Sequence, residues 1–395
     1  MPNRLLQLCA RATKHPQLNE RIIPCCAAVT DWDAVLAEAE RHGMAPLLHW
    51  HLSPLADSCP SQVKMALRLL YLRHRNANAV YAEVLREVTE LFVNAGIDAL
   101  VLKGAALCHT LYPEPGLRPM RDIDLLVRKE QGRQAQDLLI AAGFVESKSP
   151  RPDDHFHLPS LHRKERDVPV CIELHTGLFP DCPPYYTQIA FDELLVRSRQ
   201  FDLNGVTASS LGDEDMLWHV FEHGLHMPLT YEPYKLISAA DIITLVEMRL
   251  EALDWGRLAK IAPTLAAALP LLHQLSPWQK EVLEKFGWQP GTPFADAGEP
   301  FTGWPHLRLA EQRDRSLPAI VRATFAPPQW WCRMYYGISS WRELLACRLV
   351  RHPAHIWWWA RLYSSFTVSG DDAATATGRM SKWKAVAAKL WRRAG

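Results

Sequence analysis

Residues 100–107, LVLKGAAL, and 116–127, GLRPMRDIDLLV, decide the fold. The first stretch opens as a short β-type run, Asp98–Leu102, and breaks at Lys103-Gly104 into a helix starting near Ala105. Glycine lets the backbone come close to a phosphate, and a helix N-terminus offers unpaired N–H groups and the positive end of a dipole. Lys103 adds a point charge at the same end. The second stretch predicts a strand over Arg121–Val127. Alternation puts Asp122 and Asp124 on one face, about 6–7 Å apart, with Ile123, Leu125 and Val127 on the opposite, buried face. Two carboxylates on one face repel each other unless a cation lies between them, and Mg²⁺ is the natural counter-charge for oxygen ligands. Arg118 and Arg121 flank this strand and can meet phosphate oxygens in bidentate fashion.

A third β-type run, Val168–His175, reads VPVCIELH. Ile172 and Leu174 face one side and Glu173 and His175 the other. Glu173 is the third carboxylate the site needs, as a metal ligand or as the base for an attacking hydroxyl. Together these residues describe a metal–triphosphate site.

Outward from this core the period changes. Residues 1–95 read as helical: Asp31 offers a cap for a run to about Leu52, and a second helix extends from about Gln62 to Ala95, stopped by Gly96. After Asp213 the chain reads helical again to about Leu275, and residues 276–330 are rich in Pro and Gly. The fold class is therefore α+β, a small sheet core flanked by N-terminal and C-terminal helical regions. The expected divisions are 1–95 helical, 96–210 α/β core, 211–275 helical and packed on the core, and 276–395 Pro- and Trp-rich with a basic tail helix. The final 119 residues hold 11 of the 15 tryptophans.

The 395 residues include 48% hydrophobic and 22% charged side chains, which excludes a disordered chain. No apolar run is long enough for a transmembrane helix, and residues 1–15 lack a signal-peptide pattern. Nine scattered cysteines without a CxxC pair fit reduced thiols in a cytoplasmic protein. Net charge is +1, yet residues 341–395 carry +7 and residues 1–340 carry −6. The balance disfavours a broad duplex-binding surface. Residues 379–395 read as a basic amphipathic helix, suited to peripheral contact with the inner membrane surface or with nucleic acid.

The Lys103-Gly104 turn, the Arg118 segment and DIDLLV resemble the nucleotidyltransferase superfamily of DNA polymerase β. More closely, the chain is similar to a largely uncharacterised bacterial family of nucleotidyltransferases. IELH, DEDMLWHVFEHGLH (213–226), SAADIITL (238–245), LDWGRL (253–258) and an N-terminal DW…HGMAPLL segment carry that likeness across residues 25–265. The resemblance implies a polymerase β-like core and two-metal chemistry at Asp122, Asp124 and Glu173, with Mg²⁺ or Mn²⁺. It implies NTP binding at Lys103, Gly104 and Ala105, with Arg118 and Arg121 assisting. The implied reaction is in-line attack of a hydroxyl on the α-phosphate of an NTP, ATP being expected, with release of pyrophosphate. The acceptor is open among protein, sugar, small molecule and RNA. One departure stands out: the loop reads Gly104-Ala105 where the superfamily has Gly-Gly or Gly-Ser.

Other readings compete. The same motifs fit a nucleotide-binding regulator or antitoxin-like partner without turnover, and the basic end fits a membrane-surface adaptor. His219, His223 and His226 share a helical face, which is the pattern for a zinc site, although three ligands on successive turns converge poorly on one ion. His155, His157 and His162 read as a solvated loop before the Glu173 strand, and the 356–359 IWWW run reads as internal packing.

Overall fold

The computed structural model describes residues 3–55, 58–148, 155–180, 186–225, 235–289, 325–326, 329–338 and 340–357. Five helices come first: α1 (Arg4–Leu8), α2 (Pro16–Ala27), α3 (Trp32–His42), α4 (Ala45–Leu52) and α5 (Ser61–Asn94). Asp31 caps α3 by accepting from the Ala34 N–H at 3.0 Å. The single helix expected to run to Leu52 is instead broken at Gly43, whose φ of 70° closes α3 in a left-handed turn. Helix α5 starts and stops within a residue of its expected bounds.

A mixed sheet follows, made of β1 (Ala99–Val101), β2 (Ile123–Val127), β3 (Val145–Glu146), β4 (Leu161–Glu165), β5 (Val168–His175), β6 (Arg199–Leu203) and β7 (Val206–Ser210). Its order is β3-β4-β5-β2-β1-β7-β6. Strand β2 lies antiparallel to β1 and parallel to β5, and β1 is parallel to β7. The interspersed helices are α6 (Lys103–Thr110), α7 (Gly132–Ala141) and α8 (Phe191–Val196). Beyond the sheet come α9 (Asp213–Gly224), α10 (Leu236–Arg249), α11 (Trp255–Ile261), α12 (Leu265–Leu275) and α13 (Lys280–Lys285), then α14 (Gln329–Tyr336) and α15 (Trp341–Ala346).

Three of the seven strands were legible as β-type runs, and all three sit at the centre of the sheet. Every residue of β2 is buried, Asp124 included at 4% exposure. The half-open strand expected there is not found, because β2 has strands on both sides and protein over both faces. One hydrophobic cluster runs from Leu5 in α1 through the sheet to Cys347. The first and last helical layers are also joined by charge: Arg11, fully buried, pairs with Glu247 at 2.7 Å and donates to Ser276 Oγ at 2.8 and 3.1 Å.

Among the described residues no single helix is long and apolar enough to cross a membrane; α11 and α12 together are, but they are bent by 105°. Of the IWWW run, Ile356 is buried but Trp357 is 50% exposed, so internal packing does not extend to Trp357. Trp358 and Trp359, Cys182, His226 and the basic tail at 379–395 lie outside the described residues.

Candidate active site

The turn after β1 is built differently from the sequence expectation. Helix α6 begins at Lys103 itself, two residues before Ala105, and no side chain caps its N-terminus. Lys103, not Gly104, carries the left-handed backbone, with φ of 47°. For a residue with a Cβ this costs about 1–2 kcal/mol and persists only where the surroundings impose it. Gly104 meets a different need: a Cβ there would lie 2.9 Å from Arg118 Nη1 and 3.2 Å from Arg118 Cζ. Ala105 is buried behind it.

Arg118 is brought against Gly104, but its fork points into protein. Its Nε donates to Asp241 Oδ1 at 2.8 Å, Nη2 to Asp241 Oδ2 at 2.8 Å, and Nη1 to the Pro119 carbonyl at 2.6 Å. Tyr112 also donates to Asp241 Oδ1, at 2.7 Å. Asp241 keeps the guanidinium charged in spite of its burial. Arg118 thus braces the loop from below. Helix α5 holds the same segment from the side: Asn78 Nδ2 donates to the carbonyls of Pro115 and Arg118 at 2.6 and 2.8 Å. Tyr81 Oη lies 2.9 Å from the Arg121 carbonyl and 3.1 Å from that of Pro169, linking the approaches to β2 and β5. Arg121 itself is exposed at the rim.

The parallel pairing of β2 and β5 sets Asp124 opposite Glu173 and Leu126 opposite His175. With alternation along each strand, Asp124, Glu173 and His175 share one face. Their ligand atoms all lie within 4.8 Å of one another. Asp124 is held from two sides: Oδ2 is 3.2 Å from Lys103 Nζ, and Oδ1 is 3.0 Å from His175 Nε2. Asp122 precedes β2, is exposed, and stands outside that tight group. Of the expected carboxylate trio, Asp124 and Glu173 are grouped together, and His175 joins them.

Electrostatics tie the parts together. Burial works against the Lys103 ammonium, but Asp124, then Asp122 and Glu173, outweigh it and raise its pKa. Burial likewise opposes the Asp124 carboxylate, yet Lys103 and the His175 hydrogen bond hold it far below the usual range. Asp122 goes the other way. Although the residue keeps exposed surface, partial desolvation of its carboxyl and then the neighbouring Asp124 charge push it up to about 6. The positive charge of Lys103 and then burial press His223 down to about 3, while burial and then Lys103 lower His219. These two rings of α9, 6.1 Å apart, thus lie near the Lys103–Asp124 pair as neutral imidazoles. The zinc reading on α9 alone gathers no donor group among the described residues. His157 and His175 instead form an isolated β-bridge, with rings 5.2 Å apart, so the 155–162 segment packs beside the site rather than forming a free loop.

Two carboxylates and an imidazole, on two adjacent strands of the sheet and largely dry, suit a divalent cation. The His175 nitrogen that faces Asp124 is Nε2, while the buried Nδ1 has no hydrogen-bond partner among the described residues. His175, Asp241, Asn78 and Tyr81 are the residues that the motifs did not single out for these positions. His175 carried a signal, sharing a strand face with Glu173. The other three became visible only through the packing of α5 and α10.

The fold is a mixed α+β sheet with helices around it, and its centre carries a group of residues that could hold a metal ion. The chain belongs to the family described as uncharacterised nucleotidyltransferase, whose model matches residues 28–276. Among solved structures it is similar to an antigenic nucleotidyltransferase-like protein from Paracoccidioides brasiliensis, at 14% identity and a TM-score of 0.30, covering 52% of this chain and 97% of that one. It is also similar to the antibiotic-resistance factor ANT(2'')-Ia, at 14% identity and a TM-score of 0.31, covering 49% of this chain and 96% of that one. No curated protein matches the sequence.

Proposed function

We propose that the protein is a metal-dependent nucleotidyltransferase that moves an NMP from an NTP, ATP being the expected donor, to a hydroxyl acceptor with release of pyrophosphate. The observation that carries this reading is the meeting of Asp124, Glu173 and Lys103 at the uncapped N-terminus of α6, in a chain of this family.

In this reading the first-turn N–H groups of α6 and the Lys103 ammonium bind the triphosphate. Gly104 keeps the backbone accessible, and Arg118, fixed on Asp241, holds the turn in place. Arg121 at the rim meets the outer phosphates. Asp124 and Glu173, with Asp122 approaching from the start of β2, would hold a divalent ion, Mg²⁺ or Mn²⁺, which when bound would neutralise charge on the α-phosphate and the leaving group. The hydroxyl oxygen forms a bond to the α-phosphorus as the bond to the bridging oxygen breaks. Glu173, only partly buried and opposite Asp124, takes the hydroxyl proton. His223, exposed on α9 near the Lys103–Asp124 pair, would contact the acceptor, and His219 is buried behind it.

The test is incubation with each α-labelled NTP and Mg²⁺ or Mn²⁺, with a cell extract as the source of acceptor, scored for pyrophosphate and labelled product. Transfer that disappears in Asp124→Asn and Asp122→Asn supports the assignment. Transfer that survives the double substitution refutes it.

A further inference from the structure

We infer that His175 is a direct metal ligand, making this a mixed carboxylate–imidazole site that favours a first-row transition ion over Mg²⁺. The inference rests on the metal-dependent reading above and adds to it which ion and which atom.

Geometry is the first argument. His175 Nε2 and Asp124 Oδ1 are 3.0 Å apart. Two donors bound side by side to one ion, each at about 2.1–2.2 Å, are separated by about 3 Å. The positions are fixed by backbone register, since Glu173 and His175 alternate on β5 and Asp124 faces Glu173 across the pairing. The other carboxylate oxygen, Oδ2, is the one on Lys103. An ion at Oδ1 therefore leaves the Lys103 contact intact.

Proton accounting is the second. A neutral imidazole carries one proton. With that proton on Nε2, His175 donates to Asp124 and leaves the buried Nδ1 without a partner. With it on Nδ1, a bare nitrogen lone pair faces a carboxylate oxygen at 3.0 Å, which is stable only with a cation between them. A metal on Nε2 would take the place of that cation, and Nδ1 stays without a protein partner in either arrangement.

Donor chemistry is the third. Mg²⁺ takes oxygen ligands in near-octahedral geometry and keeps several waters, whereas imidazole favours later first-row ions.

The experiment uses untagged full-length protein, Mn²⁺ as the probe, and pulsed electron paramagnetic resonance to detect imidazole ¹⁴N coupled to the ion. Wild type should show that coupling, and His175→Gln, checked for folding by circular dichroism, should lose it. Mn²⁺ affinity should fall about 10–100-fold in the variant, while Mg²⁺ affinity moves less than about threefold. Absence of nitrogen coupling in the wild type overturns the inference without any variant. Coupling that persists in His175→Gln, or equal wild-type affinity for Mg²⁺ and Mn²⁺, overturns it too. Nucleotide transfer without nitrogen coupling defeats this inference and leaves the proposed function standing. Nitrogen coupling lost in His175→Gln, without transfer from any NTP, supports this inference and defeats that function.

Discussion

Lys103 Nζ sits 3.2 Å from Asp124 Oδ2, and this buried ion pair is made by a lysine whose backbone is left-handed. The two facts pull apart in mutagenesis. Lys103→Ala and Lys103→Gly both delete the cation, and both should lower nucleotide transfer by roughly 10²–10³-fold. They should differ in stability. Glycine relaxes the φ of 47°, so Lys103→Gly should be about 1 kcal/mol more stable than Lys103→Ala. Urea denaturation of the two variants reads the difference directly, and equal midpoints would remove backbone strain from the account.

Gly104→Ala should damage the site by a different route. The added methyl meets the Arg118 guanidinium at 2.9 Å, and that group is pinned on Asp241. The expected cost is about 1–3 kcal/mol of stability, with weaker NTP binding. Thermal unfolding and nucleotide titration check both parts. Unchanged binding would show that the fork yields.

Arg11 and Glu247 are fully buried partners, so removing one leaves an uncompensated charge. Arg11→Met should destabilise the protein by roughly 3–5 kcal/mol, and adding Glu247→Leu should recover much of it. A double-mutant cycle by chemical denaturation measures the coupling.

His42 and His51 predict acid lability. Burial depresses their pKa values to about 4 and about 3, so both are neutral in the fold at neutral pH. Unfolded, each titrates near pH 6.5. Below that pH the unfolded chain binds protons that the native state does not, so stability is full above about 6.5 and is lost as pH falls towards 4. Their part of the proton uptake on unfolding at pH 5 should be about two. Calorimetric melts across pH 7 to 4.5 should show the midpoint falling, and His51→Gln should flatten the slope.

The elements carrying the chemistry were readable because local signals mark them. The switch of period at Asp98, the Lys103-Gly104 break and the IELH run all fall on observed β1, α6, β2 and β5. The β6–β7 hairpin was not among the β-type runs read, although Asn204-Gly205 at its turn, both at positive φ, marks it. Strand β4 had none, since LHRKE alternates charge rather than apolarity. The site was legible only along single segments. That His175 joins Asp124 and Glu173 depends on how β5 pairs with β2, and that Arg118 turns inward depends on Asp241, 123 residues away. Pairing across the sheet and docking of distant helices are tertiary facts, and spacing in one strand does not encode them.

Asp241 has one more implication. The loop that reads as the nucleotide grip is anchored by a carboxylate on α10, and its flank by Asn78 and Tyr81 on α5. The sheet is consequently not a portable module. A fragment cut at 96–210 would carry every motif residue and lose all three anchors, so grafting or recombination of this core must move its helical surroundings with it.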